Sequence, residues 1–251
     1  MKIEPVEMHM RRGFDLHCKG RLEDALSCYR MALDLNPNPP GLHNNMGAGL
    51  EGLGRVDEAL SCFQNAVRLN PGYVEAHNNM GNVLQQMGRL DEAISCYVTA
   101  LEINPNISET HNNLGNAHQR LGQISKAIFC YQKAVALNPN NAQAYCNLGN
   151  AYQIGGKIDE AIKLYEKAIL LNPHNPETYT NMGAALKLQG KLEASVKCYR
   201  KALKLRPDDA TVYNNLGSTL KHQGKIADAI SCYRKACGLK SDYAEAHSNL
   251  I

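Results

Sequence analysis

Residues 74–107 read VEAHNNMGNVLQQMGRLDEAISCYVTALEINPNI, and residues 108–141 read SETHNNLGNAHQRLGQISKAIFCYQKAVALNPNN. Laid over each other, the two stretches align without a gap, which points to a repeat before it points to anything else. Glycine recurs at Gly13, Gly47, Gly81, Gly115, Gly149, Gly183 and Gly217, and again at Gly20, Gly54, Gly88, Gly122, Gly156, Gly190 and Gly224. An aromatic recurs at Tyr29, Phe63, Tyr97, Tyr131, Tyr165, Tyr199 and Tyr233. Proline recurs from Pro37 to Pro207, and alanine in two series, with Ser195 in the one gap. Several residue types locked to one step over the whole chain rule out coincidence.

Each unit reads as two helices. The first opens on Pro40, Pro176 or Ser108, followed by an acid such as Glu75, Glu109 or Glu177. Proline suits the first helical position and an acid suits the positive end of the helix dipole. The second glycine of each unit stops that helix, since glycine takes the left-handed conformation at a helix C-terminus. The second helix starts with acids such as Asp91-Glu92 and runs to an Asn-Pro pair, where the residue before proline leaves the helical region. Leu90, Ala93, Ile94, Tyr97, Ala100, Leu101 and Ile103 form its apolar stripe. The glycine at unit position 8 and the alanine at position 20 mark a close helix crossing. One hairpin cannot bury its own stripe, so the units must stack.

Composition bounds the function. The chain has 251 residues, 44% apolar and 20% charged, with 27 Lys+Arg against 24 Asp+Glu for a formal net charge of +3. So balanced a charge argues against broad nucleic-acid binding. No apolar run is long enough to span a membrane, and the charged start MKIEPVEMHMRRGF is unlike a secretion signal. Six of the nine cysteines (Cys28, Cys62, Cys96, Cys130, Cys198, Cys232) share one position that Leu164 fills in the fifth unit, so the position wants a small apolar side chain. Equivalent atoms of adjacent units lie about 8–10 Å apart, beyond disulfide reach. Reduced thiols in a cytoplasmic, reducing compartment are expected, with no metal site and no cofactor. Cys146 stands at a position expected to face a groove. The histidines His43, His77, His111 and His247 recur at position 4, which favours packing or hydrogen bonding over a ligand role. No phosphate loop or nucleophile–base set occurs, so no catalytic residue is assigned and the chain alone is not expected to be an enzyme.

These residues resemble the tetratricopeptide repeat (TPR), a 34-residue helix–turn–helix unit. The resemblance implies an all-α fold, a right-handed TPR superhelix of antiparallel helix pairs. Its expected division is an extension at 1–5, seven repeats at 6–39, 40–73, 74–107, 108–141, 142–175, 176–209 and 210–243, and the first helix of an eighth at 244–251. It also implies that the first helices line a concave wall, with positions 2, 5, 6, 9, 12 and 13 facing the groove.

Those positions are rich in carboxamides. Position 6 is Asn45, Asn79, Asn113, Asn147, Asn181, Asn215 and Asn249. Position 5 adds Asn44, Asn78, Asn112 and Asn214, and position 9 adds Asn82, Asn116 and Asn150. A carboxamide carries donor and acceptor side by side and can pair with a peptide amide. One per unit would meet roughly every third residue of an extended segment. The expected partners are therefore extended protein or peptide segments held by their backbone, with neither nucleic acid nor membrane bound. The alternative for position 6 is a solvated residue, or one that bonds a neighbouring turn. The lack of cations at position 5 argues against a clamp for a C-terminal carboxylate. The unbroken position-6 series, with HNNMGN at 77–82, HNNLGN at 111–116 and YAEAHSNLI at 243–251, resembles the repeat region of the O-linked N-acetylglucosamine transferase and SPINDLY family. That resemblance implies recruitment of protein substrates to a glycosyltransferase domain lying outside these residues. The other expectation is a non-enzymatic scaffold that self-associates through its repeat ends or groove.

Overall fold

The structure is a computed structural model that describes residues 5–250. The described residues form fifteen α-helices and no strand. The expected extension at 1–5 lies outside them except for Pro5, as does Ile251 at the other end. Two compact units emerge, Met1–Lys126 and Ala127–Ile251.

The first unit holds α1 (Pro5–Cys18), α2 (Leu22–Leu35), α3 (Pro40–Gly52), α4 (Val56–Leu69), α5 (Val74–Gln86), α6 (Leu90–Ile103) and α7 (Ser108–Arg120). The next helix, α8 (Ile124–Leu137), contains the boundary residues. The second unit continues with α9 (Ala142–Ile154), α10 (Ile158–Leu171), α11 (Pro176–Leu188), α12 (Leu192–Leu205), α13 (Ala210–His222), α14 (Ile226–Leu239) and α15 (Ala244–Leu250).

Within each unit every helix packs on the next in sequence. Odd-numbered helices also touch the next odd-numbered one: α1 with α3, α3 with α5 and α5 with α7, then α9 with α11, α11 with α13 and α13 with α15. Each unit is thus a stack of hairpins with a continuous layer of odd helices.

The aromatic series is the heart of each hairpin. Tyr29, Phe63, Tyr97, Tyr131 and Tyr165 are fully buried, and Tyr199 and Tyr233 nearly so. Burying one such ring contributes about 1.5–3 kcal/mol. Position 8 is glycine because the ring lies against it. A Cβ added to Gly81 would come within 2.6 Å of the Tyr97 ring. Buried Ala93 and Ala100 flank that ring on α6. Where the alanine series breaks, the buried hydroxyl of Ser195 donates to the Gly183 carbonyl at 2.7 Å, so the polar atom is satisfied.

The turns follow from the same series. The second glycine of each unit has positive φ, for example +77° at Gly88. Asn104 caps α6 in an extended conformation and its Oδ1 accepts from the Asn106 N–H at 3.1 Å, an Asx turn that the Asn-Pro pair repeats at Asn70 and Asn138. The position-4 histidines pin the same loop: Nε2 of His43, His77 and His111 donates to the carbonyls of Pro37, Pro71 and Pro105, each at 2.9 Å. Tyr179 does the same for Pro173 at 3.3 Å. A hydrogen-bonding role is therefore what the histidine series performs.

All nine cysteines are free thiols. Cys146 departs from expectation: it is 1% exposed and packs with Ala161 and Tyr165 instead of facing a groove.

Candidate peptide-binding wall

Position 6 of every odd helix from α3 onward carries an asparagine: Asn45, Asn79, Asn113, Asn147, Asn181, Asn215 and Asn249. All seven side chains are half-buried. Their neighbours at position 5 go deeper, with Asn44 and Asn112 at 8% exposure and Asn214 at zero. Position 5 thus lies in the seam between odd helices, and position 6 lies at its lip. Asn78, Asn82, Asn116 and Asn150 are half-buried.

The lip and the seam are joined. Asn79 Nδ2 donates to Asn44 Oδ1 at 3.1 Å. Asn113 Nδ2 donates to Asn82 Oδ1 at 3.0 Å and, more weakly, to Asn78 Oδ1 at 3.5 Å. In the second unit Asn249 Nδ2 donates to Asn214 Oδ1 at 3.0 Å, and Asn214 Nδ2 donates to Glu245 Oε1 at 3.0 Å. Asn181 Nδ2 reaches Cys146 Sγ at 3.8 Å, where a thiol replaces the seam amide. Position 6 of one repeat therefore meets position 5 of the repeat before it, one repeat plus one residue away. Asn147 accepts from Gln143 at 2.9 Å. Asn45, Asn150 and Asn215 make no such bond among the described residues. A carboxamide offers two N–H donors and an oxygen with two lone pairs. One inter-repeat bond uses a single N–H and fixes which way the amide faces.

Sequence reasoning missed a second claim on these amides. The Tyr97 hydroxyl donates to Asn82 Oδ1 at 2.8 Å, and the Tyr165 hydroxyl to Gln153 Oε1 at 3.0 Å. The buried ring passes over its glycine, and its hydroxyl meets the wall amide from beneath. The pairing was not legible in the sequence, because Tyr29, Tyr199 and Tyr233 carry the hydroxyl in repeats whose position 9 is Phe14, Ala184 and Ser218. Burial pushes the Tyr97 and Tyr165 hydroxyls well above the ordinary tyrosine range, so both are donors at neutral pH.

The wall in the first unit opens into a cleft of about 430 Å³ lined by Asn44, Val74, Glu75, Asn78, Asn79, Asn104, Ile107, Glu109 and Thr110. A second hollow of about 410 Å³ is lined by Glu7, Met10, Arg11, Phe14, Asp15 and Asn45. Glu51 accepts from Gln86 at 2.6 Å, and burial raises its carboxyl above the usual carboxylate range. No cluster of three or more metal-ligating side chains occurs among the described residues, and no described helix is long and apolar enough to cross a membrane.

Comparison with known proteins bears on the fold. Solved structures similar to this chain include one from the APC/C hetero-tetramer Cut9-Hcn1, 20% identical over 100% of this chain with a TM-score of 0.80. The present chain spans about half of that relative's length, 48%. A tetratricopeptide repeat protein from Parabacteroides merdae is 20% identical, covering 99% of this chain and 98% of its own, with a TM-score of 0.75. YrrB, described as a TPR protein with an unusual peptide-binding site, is 21% identical over 75% of this chain and 98% of its own, with a TM-score of 0.61. No curated protein sequence matches. Models of the tetratricopeptide repeat match residues 72–140, 142–175 and 164–197, and a TPR repeat model matches 52–88, 185–224 and 217–250. Between them the repeat models take in residues 52–140 and 142–250, well over half of the chain, and the chain belongs to the tetratricopeptide-repeat family.

Proposed function

We propose that this chain is a protein-interaction module that holds extended protein segments along its odd-helix layer. The observation that supports the reading is the half-buried carboxamide at position 6 of each odd helix from α3 to α15, one per repeat, at the lip of the odd-helix layer within each unit. Position 6 and position 9 supply the ligand contacts, while the nearly buried position-5 amides orient them. YrrB, a repeat protein of the same fold, is described as having a peptide-binding site. Each amide–peptide pairing contributes about 0.5–1.5 kcal/mol, so affinity comes from number and sequence selectivity is low.

The test separates binding from folding. The side-chain amides of Asn45, Asn150 and Asn215 bond no described neighbour, so their triple alanine variant keeps the inter-repeat bonds. Capture of labelled extended peptides, read by fluorescence anisotropy, should weaken roughly 2–10-fold per removed amide with an unchanged melting curve. Changing Asn79, Asn113, Asn147 and Asn181 together to alanine should remove binding and lower stability as well. Unchanged peptide affinity in both variants would reject the wall.

The finer reading is that the module recruits protein substrates for a glycosyltransferase of the O-linked N-acetylglucosamine transferase and SPINDLY type. The unbroken position-6 series and the strings at 77–82 and 111–116 support it. A glycosyltransferase domain encoded beyond Ile251 would uphold this reading, and a domain of another kind there would overturn it.

A further inference from the structure

The odd-helix layer of the second unit differs from the amide pattern at one edge. The last residues of α9, α11 and α13 are Ile154, Leu188 and His222, one per repeat and in register. Ile154 is 56% exposed and Leu188 66% exposed. In the first unit the same position is Cys18, Gly52, Gln86 and Arg120. Two adjacent large apolar side chains at solvent on a binding layer need an account, since a contiguous exposed patch marks an interaction site more often than a scattered single residue does.

The charges nearest them along the chain are basic. Lys187 precedes Leu188, Lys221 precedes His222, and exposed Lys191 follows the turn after α11. Lys187 Nζ donates to Ser218 Oγ at 2.7 Å, and burial lowers its pKa while Glu245 raises it. The nearby acids Asp159 and Glu193 belong to the first turns of α10 and α12, and Asp159 accepts from Gln189. Lys221 carries no ion pair among the described residues.

Packed helices are spaced about 8–10 Å. A polyproline II segment advances about 9.3 Å in three residues and returns to the same face. Side chains three apart in such a segment therefore fall on successive repeats. The geometry points to this edge as a selectivity strip for an acidic-apolar extended segment. Two apolar residues three apart sit on Ile154 and Leu188, and an acidic residue one step further sits against Lys221 and His222, in one chain direction or the other. This rests on the proposed binding of extended segments and adds the class of sequence preferred.

Short labelled peptides with that spacing, written in both directions, are compared with scrambled versions and with versions carrying lysine for the acid. The patterned peptide should bind roughly tenfold tighter than its scramble. Leu188→Asp should erase that difference, and Lys221→Glu should reverse the preference between the acidic and lysine peptides. Both side chains are exposed, so the melting curve should not move. Equal binding of patterned and scrambled peptides overturns the strip and leaves the amide wall standing; binding of neither overturns both. A preference that survives Leu188→Asp also overturns the strip. Light scattering of the free chain completes the test: a dimer that Leu188→Asp dissolves would assign the edge to a second copy and overturn the strip.

Discussion

Gly81 and Gly88 sit seven residues apart in one repeat and are glycine for different reasons. Gly81 has ordinary helical φ, yet a Cβ there would meet three Tyr97 ring atoms at 2.6–2.9 Å. Gly88 has open space around it and φ of +77°. Gly81→Ala forces the ring or the helix to move and should cost about 1–3 kcal/mol. Gly88→Ala meets no atom and should cost about 1–2 kcal/mol through backbone strain alone. Urea unfolding measures both, and substituting Asn at each position tells the causes apart. Asn tolerates the left-handed conformation, so Gly88→Asn should recover part of the loss while Gly81→Asn should deepen it. Residue chemistry also sets an alkaline limit. Burial pushes the Cys96 and Cys130 thiols from 9.0 up to about 11, and Tyr29 from 10.0 to about 12. Between those values the unfolded chain loses protons that the folded chain keeps, so stability must fall as pH rises. It should be complete below about pH 9 and decline from there toward pH 11. Urea midpoints at pH 8 and pH 10.5 check this, and equal midpoints would mean the thiols ionise within the fold.

At the element scale, the joint between one hairpin and the next is built from recurring side chains. The Asx turn at Asn104 ends α6, and His111 then reaches back from α7 to the Pro105 carbonyl. His111→Ala removes one hydrogen bond at a half-buried site and should cost about 1 kcal/mol. Equilibrium unfolding gives the value, and His111→Tyr, copying Tyr179 and its bond to Pro173, should restore most of it. Helix starts and stops were legible in the sequence because glycine, proline and asparagine act locally, through φ and through hydrogen bonds two residues away. The fold class was legible for the same reason, repeated in every unit. The fate of the wall amides was not. A repeat pattern says that Asn79 and Asn45 are equivalent, but not that Asn79 turns toward Asn44 while Asn45 makes no such bond. That choice depends on which position of the repeat before lies opposite, a register that no single unit encodes: it puts Asn44 opposite Asn79 but Met10, which has no amide, opposite Asn45. Cys146 was misplaced on the same ground: position 5 looks outward on a lone helix and is closed over once the next odd helix packs on it.

At the scale of the whole molecule, stability is a sum of repeat terms and nearest-neighbour terms, because each helix touches only its neighbours within one or two steps. The inter-repeat amide bonds belong to the neighbour terms and the aromatic-on-glycine contacts to the repeat terms. A local lesion should then stay local. In the Gly81→Ala variant, α5 and α6 lose their crossing contact, and α3, α4 and α7 lose support from one side. Hydrogen exchange followed by mass spectrometry should show faster exchange across α4 to α7, with α11 to α14 close to the parent chain. Asn79→Ala should act differently. It leaves the α5–α6 crossing intact and removes the bond from α5 to α3, so exchange should rise mainly in α3 and α4, with a loss of about 0.5–1.5 kcal/mol. If either substitution raised exchange equally in all helices, the stack would be unfolding as a single cooperative block, and the sum of repeat and neighbour terms would have to be abandoned.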